Sequence, residues 1–274
     1  MNYIEALNHG QKVLEDSSTS PLLDAEVLFR YVAGLSKEDL ISQRFTNISA
    51  AKFEKFQELL KERKKGMPVA YLTGEKEFYN FKFKVNKHVL IPRPDTEALV
   101  EKIVFELKGK HDLKILDIGT GSGCIIISLA KLLSNNNRYF GSDESARALA
   151  VAEENARLHK VKVKFMRSDL TRTTGTDYDV IIANLPYLTE LTDPATEFEP
   201  KSALLAKKDG LELYEKLFKA LAESNHKPVI YLEFGHDHAD KIKDMVDQLL
   251  PGSRIQVFKD LSGVPRFARI WQKL

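Results

Sequence analysis

Strand-like and helix-like segments alternate along the chain beyond Lys110, and this alternation constrains the fold more than any other feature. Short apolar runs rich in β-branched and aromatic residues are typical of buried strands, whereas apolar residues three or four positions apart are typical of helices. Their alternation predicts an α/β fold built on a mostly parallel sheet. The predicted strands are 114–118, 138–142, 161–167, 180–183, 228–234, 254–259 and 267–271, and the predicted helices are 124–133, 146–159, 211–223 and 238–250.

Residues 1–74 follow a different pattern, in which apolar residues such as Leu23, Val27 and Tyr31 recur at helical spacing. This spacing predicts several short helices. Ser20 and Pro21 predict the capped start of one of them, because proline fits the first helical position. Basic and acidic residues are equal in number over this segment, so it is a poor candidate for a nucleic-acid clamp.

Between these two regions the period changes to a strict alternation of apolar and charged residues at 81–85. Residues 86–88 are polar, and an apolar run follows at 89–91. Two short strand-like runs around a polar turn predict a β-hairpin.

Pro92 and Pro94 end this predicted hairpin, and Asp95 or Thr96 is predicted to cap a helix over 97–107. The order of parts follows from these boundaries. The sequence predicts a helical domain at 1–74, a hairpin linker at 75–92 and an α/β domain at 93–274.

Charge and cysteine content exclude several classes of protein. The formal net charge is +2, which leaves no broad basic surface for following a nucleic-acid backbone. Cys124 is the single cysteine, so no internal disulfide or multi-cysteine metal site is expected, and it is predicted to pack in the core.

Residues 1–16 are unlike a signal peptide, and no segment approaches the roughly 18 uncharged apolar residues of a membrane span. We therefore expect a cytoplasmic protein with no membrane segment.

A glycine-rich turn, DIGTGSG, joins the first strand of the predicted α/β domain to the following helix. Glycines let the backbone turn sharply and approach a ligand, and the free N–H groups of a helix start favour an anionic group. The G-x-G-x-G spacing is not the dinucleotide motif and lacks the Lys-Ser/Thr pair of a phosphate loop, which disfavours a nucleoside triphosphate. The ligand-binding candidates in this turn are Gly119, Thr120, Gly121, Ser122 and Gly123.

Acidic residues follow the next two predicted strands. The carboxylate of Asp143 can accept both hydroxyls of a ribose, and Asp169 with Leu170 suits the amino group and face of an adenine ring. Open α/β sheets bind ligands at the carboxyl ends of their strands, so these residues predict a ligand site there. The alternative is a tight turn followed by two helix-capping aspartates.

The fourth strand of the predicted sheet ends in Asn184, Leu185, Pro186 and Tyr187. The side-chain oxygen of Asn184 and a nearby main-chain carbonyl can hold the two N–H bonds of a planar amino or amide nitrogen. The Tyr187 ring can stack on this planar amino or amide group or pack against its edge. In the alternative interpretation the segment is a polar turn with a surface tyrosine.

Six sequence blocks narrow the choice of protein family. The IPRP sequence within one of them is found in far fewer families than the glycine turn. The blocks are GMPVAYLTG at 66–74, FY at 78–79, VLIPRPDTE at 89–97, GTGSG at 119–123, EPKSAL at 199–204 and DLSGVPRF at 260–267. Together they resemble the class I S-adenosylmethionine-dependent methyltransferases, and among these the release factor glutamine methyltransferases of the HemK/PrmC type.

The resemblance implies a Rossmann-like, doubly wound sheet that carries S-adenosylmethionine and no metal. It implies that the helical domain helps to recognise class-I peptide chain release factors, whose Gly-Gly-Gln glutamine is methylated on its side-chain amide nitrogen. No stable nucleic-acid binding is implied. The implied cofactor residues are those of the glycine turn with Asp143, Asp169, Leu170 and Asn184, and the implied catalytic and substrate-binding residues are Asn184, Leu185, Pro186 and Tyr187, with Arg93 in the substrate pocket.

Three positions depart from the family pattern. Leu185 stands where proline is usual, Asn80 where glycine is usual and His238 where glutamine is usual. Leu185 keeps a main-chain carbonyl but lacks the fixed φ of proline, so its effect on the site stays open. His238 lies in the run 236–240, which is predicted to cap a helix rather than to hold a metal.

Two other functions remain as alternatives. One is an adenine-N6 or other exocyclic-amine nucleic-acid methyltransferase, which must also hold the two N–H bonds of its target nitrogen. Against it, this chain shows no target-recognition domain and its amino-terminal segment is nearly neutral. A catalytically silent binding module would keep the cofactor fold without turnover.

Overall fold

A computed structural model describes residues 1–133, 136–170, 177–191, 194–207, 209–224, 226–260 and 262–272. Leu261, within the sequence block 260–267, lies outside these residues. The chain divides into two compact units. One unit is Met1–Glu75 with Asp193–Phe198, and the other is Lys76–Thr192 with Glu199–Leu274.

The described part of the first unit is helical, as the sequence predicts. Two of its helices begin with reciprocal caps, in which Asn2 pairs with Glu5 and Ser36 with Asp39. Gly10 allows close packing, because a Cβ there would lie 2.8 Å from both Ala25 and Phe56. The helices are α1 (Tyr3–Leu14), α2 (Pro21–Ala33), α3 (Lys37–Ser42), α4 (Ala50–Lys64) and α5 (Val69–Thr73).

The predicted start of α2 is confirmed at Pro21, with Ser20 at the predicted N-cap position. The Ser20 side chain makes no capping hydrogen bond. The Ser20 backbone N–H instead donates to the Ser18 hydroxyl at 2.9 Å, and that hydroxyl donates to Asp24 at 2.7 Å. The entry to the helix is therefore held by Ser18 and not by the residue next to the proline.

A hairpin is present, but its strands differ from the prediction. Strand β1 (Glu75–Phe78) pairs with β2 (Phe81–Lys84). The turn consists of Tyr79 and Asn80, whose φ values of 51° and 60° are those of a two-residue turn that asparagine tolerates well. The sequence predicts the run 89–91 as the second strand, and this prediction is wrong. The run forms no strand, and the Ile91 N–H donates to the Glu199 carboxylate at 2.9 Å.

In the described part of the second unit, seven strands form one sheet in the order β5-β4-β3-β6-β7-β9-β8. The strands from β5 to β7 in this order run parallel, and β9 runs antiparallel to β7 and β8. This confirms the predicted doubly wound, mostly parallel sheet. The strands are β3 (Lys114–Ile118), β4 (Arg138–Asp143), β5 (Val163–Arg167), β6 (Val180–Asn184), β7 (Val229–Glu233), β8 (Ser253–Lys259) and β9 (Pro265–Gln272).

Helices connect these strands and cover the sheet with apolar side chains. Their bounds are α6 (Pro94–Leu107), α7 (Cys124–Leu132), α8 (Ala146–His159), α9 (Glu212–Ala222) and α10 (Ala239–Leu249). Cys124 is buried among the core residues, as predicted. No helix in the described ranges is long and apolar enough to cross a membrane.

Helix α6 begins at Pro94 with Arg93 as its N-cap residue, so the predicted cap at Asp95 or Thr96 is wrong. Proline supplies the first helical position because its missing N–H would have no helical partner there. The Thr96 hydroxyl is used elsewhere, as a donor to Glu233.

The sheet order sets the position of the site. The chain winds from β3 to β4 on one side and reaches β6 on the other side of β3, so the strand order reverses beside β3. Strands β3, β4, β6 and β7 all end at the same edge, where a crevice forms at such a reversal.

Candidate active site

The glycine turn lies between the carboxyl end of β3 and the start of α7. Gly123 is the N-cap residue of α7 with φ of 79°, a left-handed conformation that favours glycine. A Cβ at this position would lie 2.8 Å from Ile127 and 3.2 Å from Ala152. The glycine therefore serves both the turn and the packing of α7 against α8.

The polar residues of the turn point into the protein. The buried Thr120 hydroxyl donates to Asp117 at 2.6 Å. The Ser122 carbonyl accepts from the buried Asn155 amide at 2.9 Å. Burial raises the pKa of Asp117 to about 7. These bonds hold the turn from behind.

Asp143 faces the turn from the end of β4. Its carboxylate accepts the Gly121 N–H at 3.0 Å and the Ser145 N–H at 2.9 Å. Burial raises the pKa of this carboxyl. The carboxylate therefore fixes the middle of the glycine turn as well as the start of α8.

A cavity of about 410 Å³ opens at this edge of the sheet. Most of the candidate site residues line it: Gly119, Gly121, Asp143, Asp169, Leu170, Asn184, Leu185 and Pro186. Thr120, Ser122, Gly123, Tyr187 and Arg93 are not among the residues that line it. The structure thus brings together candidates from four different strand ends.

Asn184 is the last residue of β6, and its side chain begins a series of hydrogen bonds to Thr96 and Glu233, neither of which the sequence places in the site. Its Nδ2 donates to the Thr96 hydroxyl at 3.4 Å, and that hydroxyl donates to Glu233 Oε2 at 2.7 Å. Glu233 is 2% exposed, and burial raises the pKa of its carboxyl to about 7. The signal for Glu233 was a carboxylate at the end of an apolar strand, in the same position as Asp143.

The Leu185 carbonyl accepts the Tyr214 hydroxyl at 3.2 Å. The same hydroxyl lies 2.5 Å from the Glu233 carbonyl. Tyr214 is completely buried, and its hydroxyl links the carbonyls at the ends of β6 and β7. The Leu185 side chain is itself buried and packs in the core.

Tyr187 lies behind the cavity edge, with its ring edge-on to His238 at 6.4 Å between centroids. Burial and the nearby Glu233 charge raise the pKa of the Tyr187 hydroxyl. His238 is buried and is the N-cap residue of α10, as predicted, but its side chain makes no capping hydrogen bond. Its imidazole packs against Gly210 and Gly235 instead.

Arg93 forms an ion pair with Glu199 at 2.5 Å and is not among the residues that line the cavity. Glu199 is buried and also accepts the Ile91 N–H. Two of the specific sequence blocks, 89–97 and 199–204, are therefore joined by one buried carboxylate.

Comparisons with known proteins agree with this architecture. The family model of the PrmC N-terminal domain matches residues 5–74, and that of the methyltransferase small domain matches residues 94–207. A release factor glutamine methyltransferase from Lactococcus lactis is 32% identical over 98% of this chain and 100% of the relative. One from Enterococcus faecalis is 38% identical over 73% of this chain and 74% of the relative.

Among solved structures, a ribosomal protein L11 methylase from Lactobacillus delbrueckii superposes with a TM-score of 0.52 at 18% identity. The match covers 73% of this chain and 90% of that chain. This likeness confirms the predicted methyltransferase fold.

Proposed function

The chain belongs to the release factor glutamine methyltransferase family, and we propose that it methylates the side-chain amide nitrogen of the Gly-Gly-Gln glutamine in class-I peptide chain release factors. The methyl donor in this proposal is S-adenosylmethionine, and the reaction takes place in the cytoplasm. The observation that carries the proposal is the position of Asn184, an amide acceptor on the wall of the same cavity as Asp143.

The cavity residues have the chemistry that S-adenosylmethionine requires. Asp143 uses two of the roughly four lone-pair positions of its carboxylate for backbone N–H groups, which leaves acceptors for the two ribose hydroxyls. The glycine turn at the start of α7 suits the carboxylate of the methionine part. Asp169 and Leu170 provide a polar and an apolar group for adenine.

The donor, when bound, supplies an electrophilic methyl group without a metal. The protein must position an amide nitrogen, which is a poor nucleophile because its lone pair is delocalised into the carbonyl. Asn184 Oδ1 and the Leu185 carbonyl accept its two N–H bonds in this proposal. The Leu185 carbonyl receives one bond from Tyr214 and keeps a second lone pair for substrate.

The same two acceptors stabilise the positive charge that develops on the nitrogen in the transition state. No strong general base is needed, because a methylated amide that still carries its extra proton is very acidic and loses it to water. Alignment within about 3 to 3.5 Å of the methyl carbon therefore provides much of the rate acceleration.

Labelled methyl donor tests the function directly. The full-length protein is incubated with labelled S-adenosylmethionine and, separately, with a purified class-I release factor, DNA or ribosomal RNA. We expect label on the Gly-Gly-Gln glutamine, located by mass spectrometry. Label on a nucleobase would favour the exocyclic-amine alternative, and binding without transfer would favour a silent module.

We expect Asp143→Ala to weaken S-adenosylmethionine binding by about 1.5 to 3 kcal/mol, the range for hydrogen bonds to a charged group. The variant loses the ribose acceptors and the bond that holds Gly121. Calorimetry measures the affinity, with circular dichroism as the folding control. Unchanged affinity in a folded variant would remove Asp143 from the cofactor site.

We also propose that the helical segment 1–74 recognises the release factor, that 75–92 is a linker and that 93–274 carries the methyl transfer. Several large apolar side chains of the first unit are exposed, which suits a protein contact. Leu23, Ile41 and Phe45 are 58%, 61% and 70% exposed.

We expect the triple variant Leu23→Ser, Ile41→Ser and Phe45→Ser to raise KM for intact release factor about 10-fold, because buried aromatic and aliphatic anchors dominate protein interfaces. Turnover of a short Gly-Gly-Gln peptide should be unchanged. Phe105→Ser is the matched control, since Phe105 is 75% exposed but lies in the second unit. An unchanged KM for intact release factor would contradict a role of this surface.

A further inference from the structure

Asn184 and Glu233 end adjacent strands, and the register of β6 and β7 places them side by side. Both lie at the carboxyl edge of the sheet, and Thr96 from the first turn of α6 approaches the same point. Thr96 is 3% exposed and Glu233 is 2% exposed, whereas Asn184 reaches the cavity. A buried carboxylate and a buried hydroxyl therefore lie directly behind the candidate substrate acceptor.

The hydrogen bonds of these three side chains all run from donor to acceptor in the same order, from Asn184 to Thr96 and from Thr96 to Glu233. An ionised carboxylate only accepts, so Thr96 gives its single hydroxyl hydrogen to Glu233 Oε2 at 2.7 Å. The Thr96 oxygen then acts only as an acceptor toward Asn184, whose Nδ2 lies 3.4 Å away. The Asn184 side chain also interacts with the Glu233 carboxylate and lowers the pKa of that group.

The direction of these bonds decides which end of the Asn184 amide faces the cavity. An asparagine amide has an acceptor end and a donor end of almost the same shape, and the surrounding hydrogen bonds select its orientation. Here both partners behind Asn184 accept, so they hold the NH2 group. The Oδ1 atom is left to face the cavity, as a substrate N–H donor requires.

We propose that Glu233, acting directly and through Thr96, is a positioning residue that orients the Asn184 amide with its oxygen toward the substrate nitrogen. This inference rests on the proposed function for its effect on rate. Glu233 itself does not line the cavity. Its role is to prevent the flipped amide, which would present a donor to the substrate N–H and block alignment.

Protonation of Glu233 would remove this constraint, because a carboxylic acid can donate to Thr96 or to Asn184 Oδ1. Burial raises the pKa of Glu233 to about 7, with Arg266 lowering it and Asp95 raising it. The orientation of Asn184 is therefore expected to weaken as the pH falls through about 7. The other titratable groups that face Glu233 from neighbouring elements are Tyr187, Tyr214 and Cys124.

Single-turnover methylation at saturating S-adenosylmethionine tests the effect on rate. We expect Thr96→Val to slow transfer about 3- to 10-fold, the effect of one hydrogen bond. Thr96→Ser keeps the hydroxyl and should recover most of that loss. We expect Glu233→Gln to slow transfer about 10-fold or more, because its amide can donate to Asn184 Oδ1 and stabilise the flipped state.

The pH profile separates positioning from a structural role. The wild-type rate should rise with pH through about 7, whereas the Glu233→Gln rate should be flat over that range. The affinity for S-adenosylmethionine should stay within about 2-fold of wild type in Thr96→Val and in Glu233→Gln. A folded Thr96→Val with the wild-type rate, or a Glu233→Gln profile like that of wild type, would overturn the inference.

A spectroscopic measurement on the wild-type protein tests the inference without any turnover. In protein labelled with 15N-asparagine, the Asn184 side-chain amide resonance is identified by its loss in Asn184→Ser. We expect its chemical shift to change with pH with a midpoint near pH 7. In Glu233→Gln the chemical shift should not change with pH over this range. Because the pKa of Asp117 is also about 7, the comparison with Glu233→Gln assigns the shift.

The two measurements also separate this inference from the proposed function. A wild-type protein that does not methylate a release factor would contradict the proposed function and leave the amide titration to decide the inference. An Asn184 resonance that does not respond to pH in the wild type would overturn the inference whatever the substrate is.

Discussion

Asn184→Ala is expected to lower the single-turnover methylation rate by about 10²- to 10³-fold, the range found when an oriented transition-state partner is removed. The substitution deletes the acceptor that aligns the substrate nitrogen and stabilises its developing charge. It also leaves Thr96 without its Nδ2 donor, although the bond from Thr96 to Glu233 remains. The rate is measured at saturating methyl donor with enzyme in excess over release factor, so that each enzyme turns over at most once.

Two controls accompany this measurement. Circular dichroism checks the fold, and calorimetry measures donor affinity, since Asn184 lines the same cavity as Asp143. A rate within about 3-fold of wild type in a folded, donor-bound variant would show that amide alignment by Asn184 is not the source of catalysis.

Gly210→Ala is expected to destabilise the protein strongly and to reduce transfer, because Gly210 touches the main chain behind the site. A Cβ there would lie 2.3 Å from the Tyr187 carbonyl oxygen and 2.8 Å from His238. A backbone atom cannot move aside as a flexible side chain can. The backbone at Tyr187 or at position 210 must therefore shift.

Gly252→Ala is the matched control for this prediction. Gly252 has φ of 82°, almost equal to the 83° of Gly210, but a Cβ there would have no neighbour within 4 Å. The control should lose only the roughly 1 to 2 kcal/mol that a left-handed conformation costs alanine. Gly210→Ala should lose about 1 to 3 kcal/mol more from overpacking.

Urea unfolding gives both free energies, and single-turnover kinetics gives both rates. We expect the wild-type rate for Gly252→Ala and a reduced rate for Gly210→Ala. Equal losses of stability in the two variants would mean that the Tyr187 carbonyl is free to move, and that the backbone behind the site is not rigidly held.

Local periodicity was sufficient for most of the elements. The predicted strand 114–118 and helix 146–159 have the bounds observed for β3 and α8. Each of these elements contains its full apolar pattern within its own residues, so no distant contact is needed to recognise it. The sheet class followed from the order of such elements.

The errors lie where a local pattern competed with a distant partner. The run 89–91 has strand-like residues, but the Ile91 N–H is used by Glu199, which is 108 residues away. Thr96 is a good capping residue by type, but its hydroxyl is used by Glu233 at the end of β7. A hydrogen bond to a buried carboxylate replaced strand pairing in the first region and a local cap in the second.

The positions of the glycine turn, Asp143 and Asn184 could be derived from the chain alone, because each directly follows an apolar strand and parallel strands share one edge. The partners of these residues could not. Thr96 and Glu233 are 137 residues apart, and Arg93 and Glu199 are 106 apart. Their contacts depend on strand order and register, which no local window contains. Folding makes these contacts, and with them the orientation of the Asn184 amide that we propose for catalysis.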